Sequence, residues 1–152
     1  MRPLPRPAFS FQDDPAIPAF DRSRLLLVMD GACGLCSAAA RFIARHDPDD
    51  RIRITTTSRD LGRALLQHYA LDPDDPQSWL MIENGQAFGA LEAVLRLAPR
   101  LHWGFALLGP LGVLPASMQD WLYARIARNR YALFGRTELC ELPDAELQKR
   151  LI

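Results

Sequence analysis

Residues 25–37 read LLLVMDGACGLCS: an apolar run, an Asp-Gly turn, and two cysteines, Cys33 and Cys36, separated by Gly34-Leu35. Leu25 to Met29 is short and continuously apolar, with charge before it and Asp30-Gly31 after it, which is the profile of a strand buried on both faces. From Cys33 onward the period changes. Leu35, Ala39, Phe42 and Ile43 recur at helical spacing, Arg41 and Arg45 take the other side, and His46-Asp47-Pro48 stops the run. The cysteines therefore stand where a strand gives way to an amphipathic helix.

Further along, Arg51 to Thr55 alternates charged and β-branched residues, a strand with one buried face. Ser58 is a candidate cap for a helix whose stripe is Leu61, Leu65 and Leu66, reaching about Tyr69. After the polar loop Asp72 to Gln77, Trp79 to Ile82 reads as a third strand, Asn84-Gly85 as a hairpin turn, and Gln86 to Phe88 as the returning fourth. Leu91, Val94, Leu95 and Leu97 continue as a helix until Pro99. The expected order is β-α-β-α-β-β-α, an α/β, thioredoxin-like arrangement. Strands joined through helices are expected to be parallel and the hairpin pair antiparallel, giving a mixed four-stranded sheet. Beyond Pro99 a hydrophobic segment at Trp103 to Leu108 and a long helix from Ala116 to about Phe134, with Met118, Trp121, Leu122 and Ile126 on one stripe, form a helical extension. The expected organisation is a proline-rich, extended arm over 1–23, the core over 24–99, and the extension over 100–152, packed on the same domain.

With 152 residues, 49% of them hydrophobic, the chain can build one ordinary core and not two. Eighteen basic residues balance eighteen acidic ones, so no global field draws it to nucleic acid or an anionic surface. Three cysteines cannot supply a dense disulfide framework, which favours a reducing compartment. The first twenty residues lack the apolar core of a secretory signal, and the longest apolar stretch, Leu101 to Pro115, is too short and too interrupted by glycine and proline to span a bilayer. The expectation is a soluble cytoplasmic protein with no membrane span.

A thiol exchanges disulfides only as thiolate. At the start of a helix, unpaired N–H groups and the positive dipole end can stabilise Cys33 as an anion, and Cys36 lies one turn later on the same face. Cys33 is then expected to be the exposed nucleophile and Cys36 the more buried resolving thiol, with Gly34 and Leu35 beside the substrate. Two other readings stay open. The pair could be half of a zinc site, although Cys140, His46, His68 and His102 show no recognised ligand spacing, or it could be two packed core thiols. Asp30 could accept the proton of Cys36, or its oxygen could bind backbone N–H groups in the turn; its charge opposes thiolate formation nearby. No metal and no organic cofactor is expected.

The run MDGACGLC resembles the Asp-Gly-x-Cys-x-x-Cys signature of the DCC family of thiol-disulfide oxidoreductases, and Ala127 to Arg136 (ARNRYALFGR), with Cys140 and Leu142-Pro143, is similar to that family's C-terminal segment. The resemblance implies a thioredoxin-like core and a redox role for Asp30, Cys33 and Cys36. It departs from the wider thioredoxin pattern at one place. Where thioredoxins and glutaredoxins set a cis-proline before the third strand, alignment on Asn84-Gly85 puts Gln77 or Ser78, with Pro76 slightly early. A non-proline cis bond costs about 3 kcal/mol, so a trans peptide is expected, and Gln77 and Ser78 are the candidate substrate contacts there.

Elsewhere the blander reading is favoured. Cys140 is expected to be a packed thiol and the three histidines to lie at the surface. Arg125, Arg128, Arg130 and Arg136 are read as a solvated face or as partners of the acidic stretch Glu138 to Glu146, not a phosphate site; Trp103 to Leu114 is read as core closing over the sheet. The function expected from these features is exchange with a protein or low-molecular-weight thiol or disulfide, Cys33 attacking, Cys36 releasing the product, and a cellular thiol reductant restoring the pair. The alternative is a non-catalytic binding or redox-sensing protein that docks a partner through its helical C-terminal region.

Overall fold

The computed structural model describes residues 4–74, 79–139 and 144–152. Four strands, β1 (Leu25–Met29), β2 (Ile52–Thr56), β3 (Leu80–Glu83) and β4 (Gln86–Gly89), form one sheet in the order β2-β1-β3-β4. β1 is parallel to β2, with Leu27 opposite Ile54, and antiparallel to β3, with Leu27 opposite Met81. Asn84 and Gly85, both at positive φ, turn β3 into antiparallel β4. Around the sheet lie α1 (Gly34–His46), α2 (Asp60–His68), α3 (Ala90–Leu101), α4 (Ala116–Phe134) and the short α5 (Ala145–Gln148). This is a mixed α/β, thioredoxin-like fold with a helical C-terminal region. Among the described residues no helix is long and apolar enough to cross a membrane.

The continuous apolar run of β1 is buried on both sides. Leu27 and Met29 pack with Ala40 and Ile43 of α1 and Ala93 and Leu97 of α3, whereas Leu26 and Val28 pack with Leu61, Leu65 and Leu66 of α2 and with Phe11. That central strand delivers Asp30 and the cysteine loop to one end of the sheet.

Several local expectations are corrected. β2 and β3, although joined through α2, run in opposite directions: β1 separates them, pairing parallel with β2 and antiparallel with β3. Ser58 does not cap α2; its hydroxyl pairs with that of Thr56 and the N-cap is Arg59. Pro99 does not end α3, which runs on to Leu101, because a proline so near the C-terminus sacrifices one backbone bond while Leu97 and Ala98 keep that turn on the core.

The N-terminal segment folds back on the sheet. Its prolines forbid a long helix, but the N–H groups of Leu4 and Phe9 bond to Ala87 O and Gly85 O at the β4 edge, both at 2.8 Å, and Phe11 in the 3₁₀ turn Ser10–Asp13 is buried on α2. His68, read as a surface residue, is buried beneath this segment, within 3.0 Å of Ser10 Oγ and 2.7 Å of Asp14 Oδ2.

The largest correction concerns Trp103–Val113. It is a 3₁₀ segment with no buried residue; Trp103 is 81% exposed and Val113 87%. The faces of the sheet are already filled by α1, α3, α2 and the N-terminal segment, so this apolar stretch, broken by glycine and proline, remains outside. Met118, Trp121 and Ile126 on α4 are exposed as well.

Candidate active site

Beyond Met29, the Asp30 carboxylate accepts the Ala32 N–H at 2.7 Å, which sets the turn into α1. Cys33 has extended backbone angles and is the N-cap of that helix. Its Sγ accepts the Cys36 N–H at 3.4 Å, and its carbonyl accepts the Ser37 N–H at 2.9 Å. The thiol therefore sits at the N-terminal end of α1, where one first-turn amide, that of Cys36, points at its sulfur. Both cysteines are free thiols.

The expected order of exposure is reversed: Cys33 is 0% exposed, whereas Cys36 is only partly buried. The cause lies a hundred residues away. Just after α4, the Thr137 N–H donates to Ala32 O at 3.2 Å and the Leu139 N–H to Gly31 O at 2.6 Å, and Arg136 forms an antiparallel bridge with Cys33. The Gly34 N–H donates to Gly135 O at 3.1 Å. A Cβ on Gly34 would overlap Phe134 O, so only glycine admits this approach. Residues 134–139 thus form a strap across the cysteine loop.

Cys36 faces a different environment. Burial, followed by the neighbouring Cys33, pushes its thiol up to about 12, so it stays protonated near neutral pH. It lines a cavity of about 440 Å³ whose wall also carries Asp30, Arg130, Leu35, Phe42 and Tyr123.

The second oxygen of Asp30 accepts from the Arg130 guanidinium and from the Tyr131 hydroxyl. Arg130, read from sequence as part of a solvated face, is instead 5% exposed. Burial works against its charge, but the bond with Tyr131 and the charge of Asp30 outweigh it and raise its pKa; burial and Asp30 together raise that of Tyr131. The guanidinium groups of Arg130 and Arg136 each lie 4.9 Å from the Tyr131 ring centroid. Sequence reasoning missed Arg130 and Tyr131 as site residues. The signal that could have found them was the ARNRYALFGR block, whose length and distance from the cysteines gave no hint of its contact.

Gly34 is held by the strap, and Leu35 lines the cavity. Pro76, Gln77, Ser78 and Cys140 lie outside the described residues. His46 bonds to Phe42 O at 2.9 Å and stacks on that ring, whereas the ring of His102 accepts the Gly104 N–H. Among the described residues no group of three or more His, Cys, Asp or Glu side chains could hold a metal ion.

A family model described as DCC1-like thiol-disulfide oxidoreductase matches residues 27–136. YuxK, an uncharacterized protein of Bacillus subtilis, is 33% identical over 127 residues, covering 84% of this chain and 93% of its own length. A chloroplastic DCC family protein of Arabidopsis thaliana is 35% identical over 120 residues, covering 78% of this chain and 70% of its own. No solved structure matches. With the matched region running from the central strand through the cysteine loop to the arginine block that closes over it, the chain belongs to the DCC1-like thiol-disulfide oxidoreductase family.

Proposed function

We propose that Cys33 and Cys36 interconvert between dithiol and disulfide while exchanging with a protein or low-molecular-weight thiol or disulfide. In this reading Cys33, at the start of α1, carries the negative charge of the reduced pair, Cys36 is its protonated partner, and a cellular thiol reductant in the cytoplasm restores the pair. The observation that carries this reading is the acceptance of the Cys36 N–H by Cys33 Sγ at the first turn of α1, which favours negative charge on Cys33. Asp30 sets the turn before Cys33, and Arg130 offsets its negative charge where Cys36 would otherwise feel it alone. As a proton acceptor for Cys36, Asp30 would work through water in the cavity, and Asp30→Asn should then shift the pH profile of exchange.

Equilibration of the protein with dithiothreitol redox buffers tests the reading. A reversible Cys33–Cys36 disulfide, absent in Cys33→Ser and Cys36→Ser, is expected, with a potential between about −300 and −120 mV. Failure to form it would remove the enzymatic reading. The exposed Trp103–Val113 segment favours a second reading, a protein that docks a partner through this region. It predicts partner capture that survives both cysteine substitutions.

A further inference from the structure

The geometry points to Cys36 as the sulfur that carries the mixed disulfide, and to an apolar thiol, bound in the cavity between α1, α3 and α4, as the group it carries. This deepens the proposed exchange reaction and rests on it. Cys33 is fully buried beneath the strap and does not line the cavity; Cys36 does. Apart from Asp30, Cys36 and Arg130, the wall is apolar or aromatic, with Met29, Leu35, Phe42, Leu97 and Phe105 prominent, and its volume of about 440 Å³ lies in the range that holds small molecules. No charge is left over to attract a charged substrate, because Arg130 and Asp30 neutralise each other. A ligand seated there gains chiefly by removing its own apolar surface from water.

The chemistry follows from which sulfur can be reached. In the oxidised protein the incoming thiol, as RS⁻, attacks Cys36 Sγ. An RS–Cys36 bond forms, the Cys33–Cys36 bond breaks, and Cys33 leaves as thiolate into the amide-lined start of α1, while the proton of RSH passes to solvent. A second RSH, attacking the sulfur of the bound R group, releases RSSR and leaves Cys36 as thiol. In sum, two thiols are oxidised to one disulfide and the protein disulfide is reduced to the dithiol.

The test uses the full chain, oxidised, with 1-hexanethiol and 2-mercaptoethanol as probes, acid quenching, and peptide mass mapping of the adduct. Expected are a hexyl adduct on Cys36 and a reaction at least about tenfold faster with hexanethiol than with 2-mercaptoethanol, from burial of the added methylenes. Ala39→Phe, which fills the cavity from α1, should abolish that preference; Val94→Trp fills it from α3 should the first variant fold poorly. An adduct on Cys33, or equal rates for both thiols, overturns the inference while leaving the redox reading standing. A protein disulfide that reacts with neither probe nor with dithiothreitol overturns both.

Discussion

Arg130 and Asp30, a hundred residues apart in the chain, form an ion pair whose side chains are only 6% and 13% exposed. The pair fastens α4 to the turn that follows the central strand, immediately before the cysteines. Removing one partner leaves the other charge nearly out of water, so Arg130→Met should cost about 3–5 kcal/mol in urea unfolding. Adding Asp30→Asn should recover part of that loss, since no charge is then stranded. Simple additivity of the two substitutions in a double-mutant cycle would refute the coupling.

Gly34→Ala tests the strap. The added methyl overlaps the Phe134 carbonyl, and residues 134–137 must shift to admit it. A stability loss of about 1–3 kcal/mol is expected. Cys33 should become more reactive toward iodoacetamide, because the segment that covers it has moved. Unchanged Cys33 alkylation in a destabilised variant would show that the strap does not control access.

Acid should destabilise the fold through carboxylates at its periphery. Hydrogen bonds from Arg53 and then Arg24 hold the Asp50 carboxyl far below its usual value, and His68 lowers that of Asp14. A group whose folded pKa is depressed contributes stability above its unfolded pKa of about 3.9 and loses it as pH falls toward the folded value. The urea midpoint should therefore drop steadily below about pH 4, and Asp50→Asn should flatten part of that slope. An unaltered slope in the variant would exclude Asp50 as a source.

The exposed apolar segment makes the opposite kind of prediction. Because Trp103 is 81% exposed, Trp103→Gln should change stability by no more than about 0.5 kcal/mol, against about 3–5 kcal/mol for a truncated core aromatic. A thermal melt distinguishes these outcomes. A large drop would mean that this segment is packed in solution.

The elements whose own pattern matches their final environment were legible. β1 is apolar throughout because it is an inner strand with both faces covered, and α1 shows its stripe because one side meets Leu27 and Met29. The Asn84-Gly85 turn is legible for a local reason: both residues take positive φ. Trp103–Val113 misled because composition reports a preference for burial, not the presence of a free face against which to bury. His68 and Phe11 were missed because their burial depends on a proline-rich segment that returns from the far end of the chain.

By itself the sequence determined the strand-turn-helix that carries Asp30, Cys33 and Cys36, since hydrophobic period, Asx turns and helix starts are written in neighbouring residues. Only the tertiary structure decided which thiol is covered and which faces a cavity, and that Arg130 answers Asp30. Those relationships arise where the C-terminal strap and α4 close over the loop, and no local periodicity encodes contacts between segments a hundred residues apart.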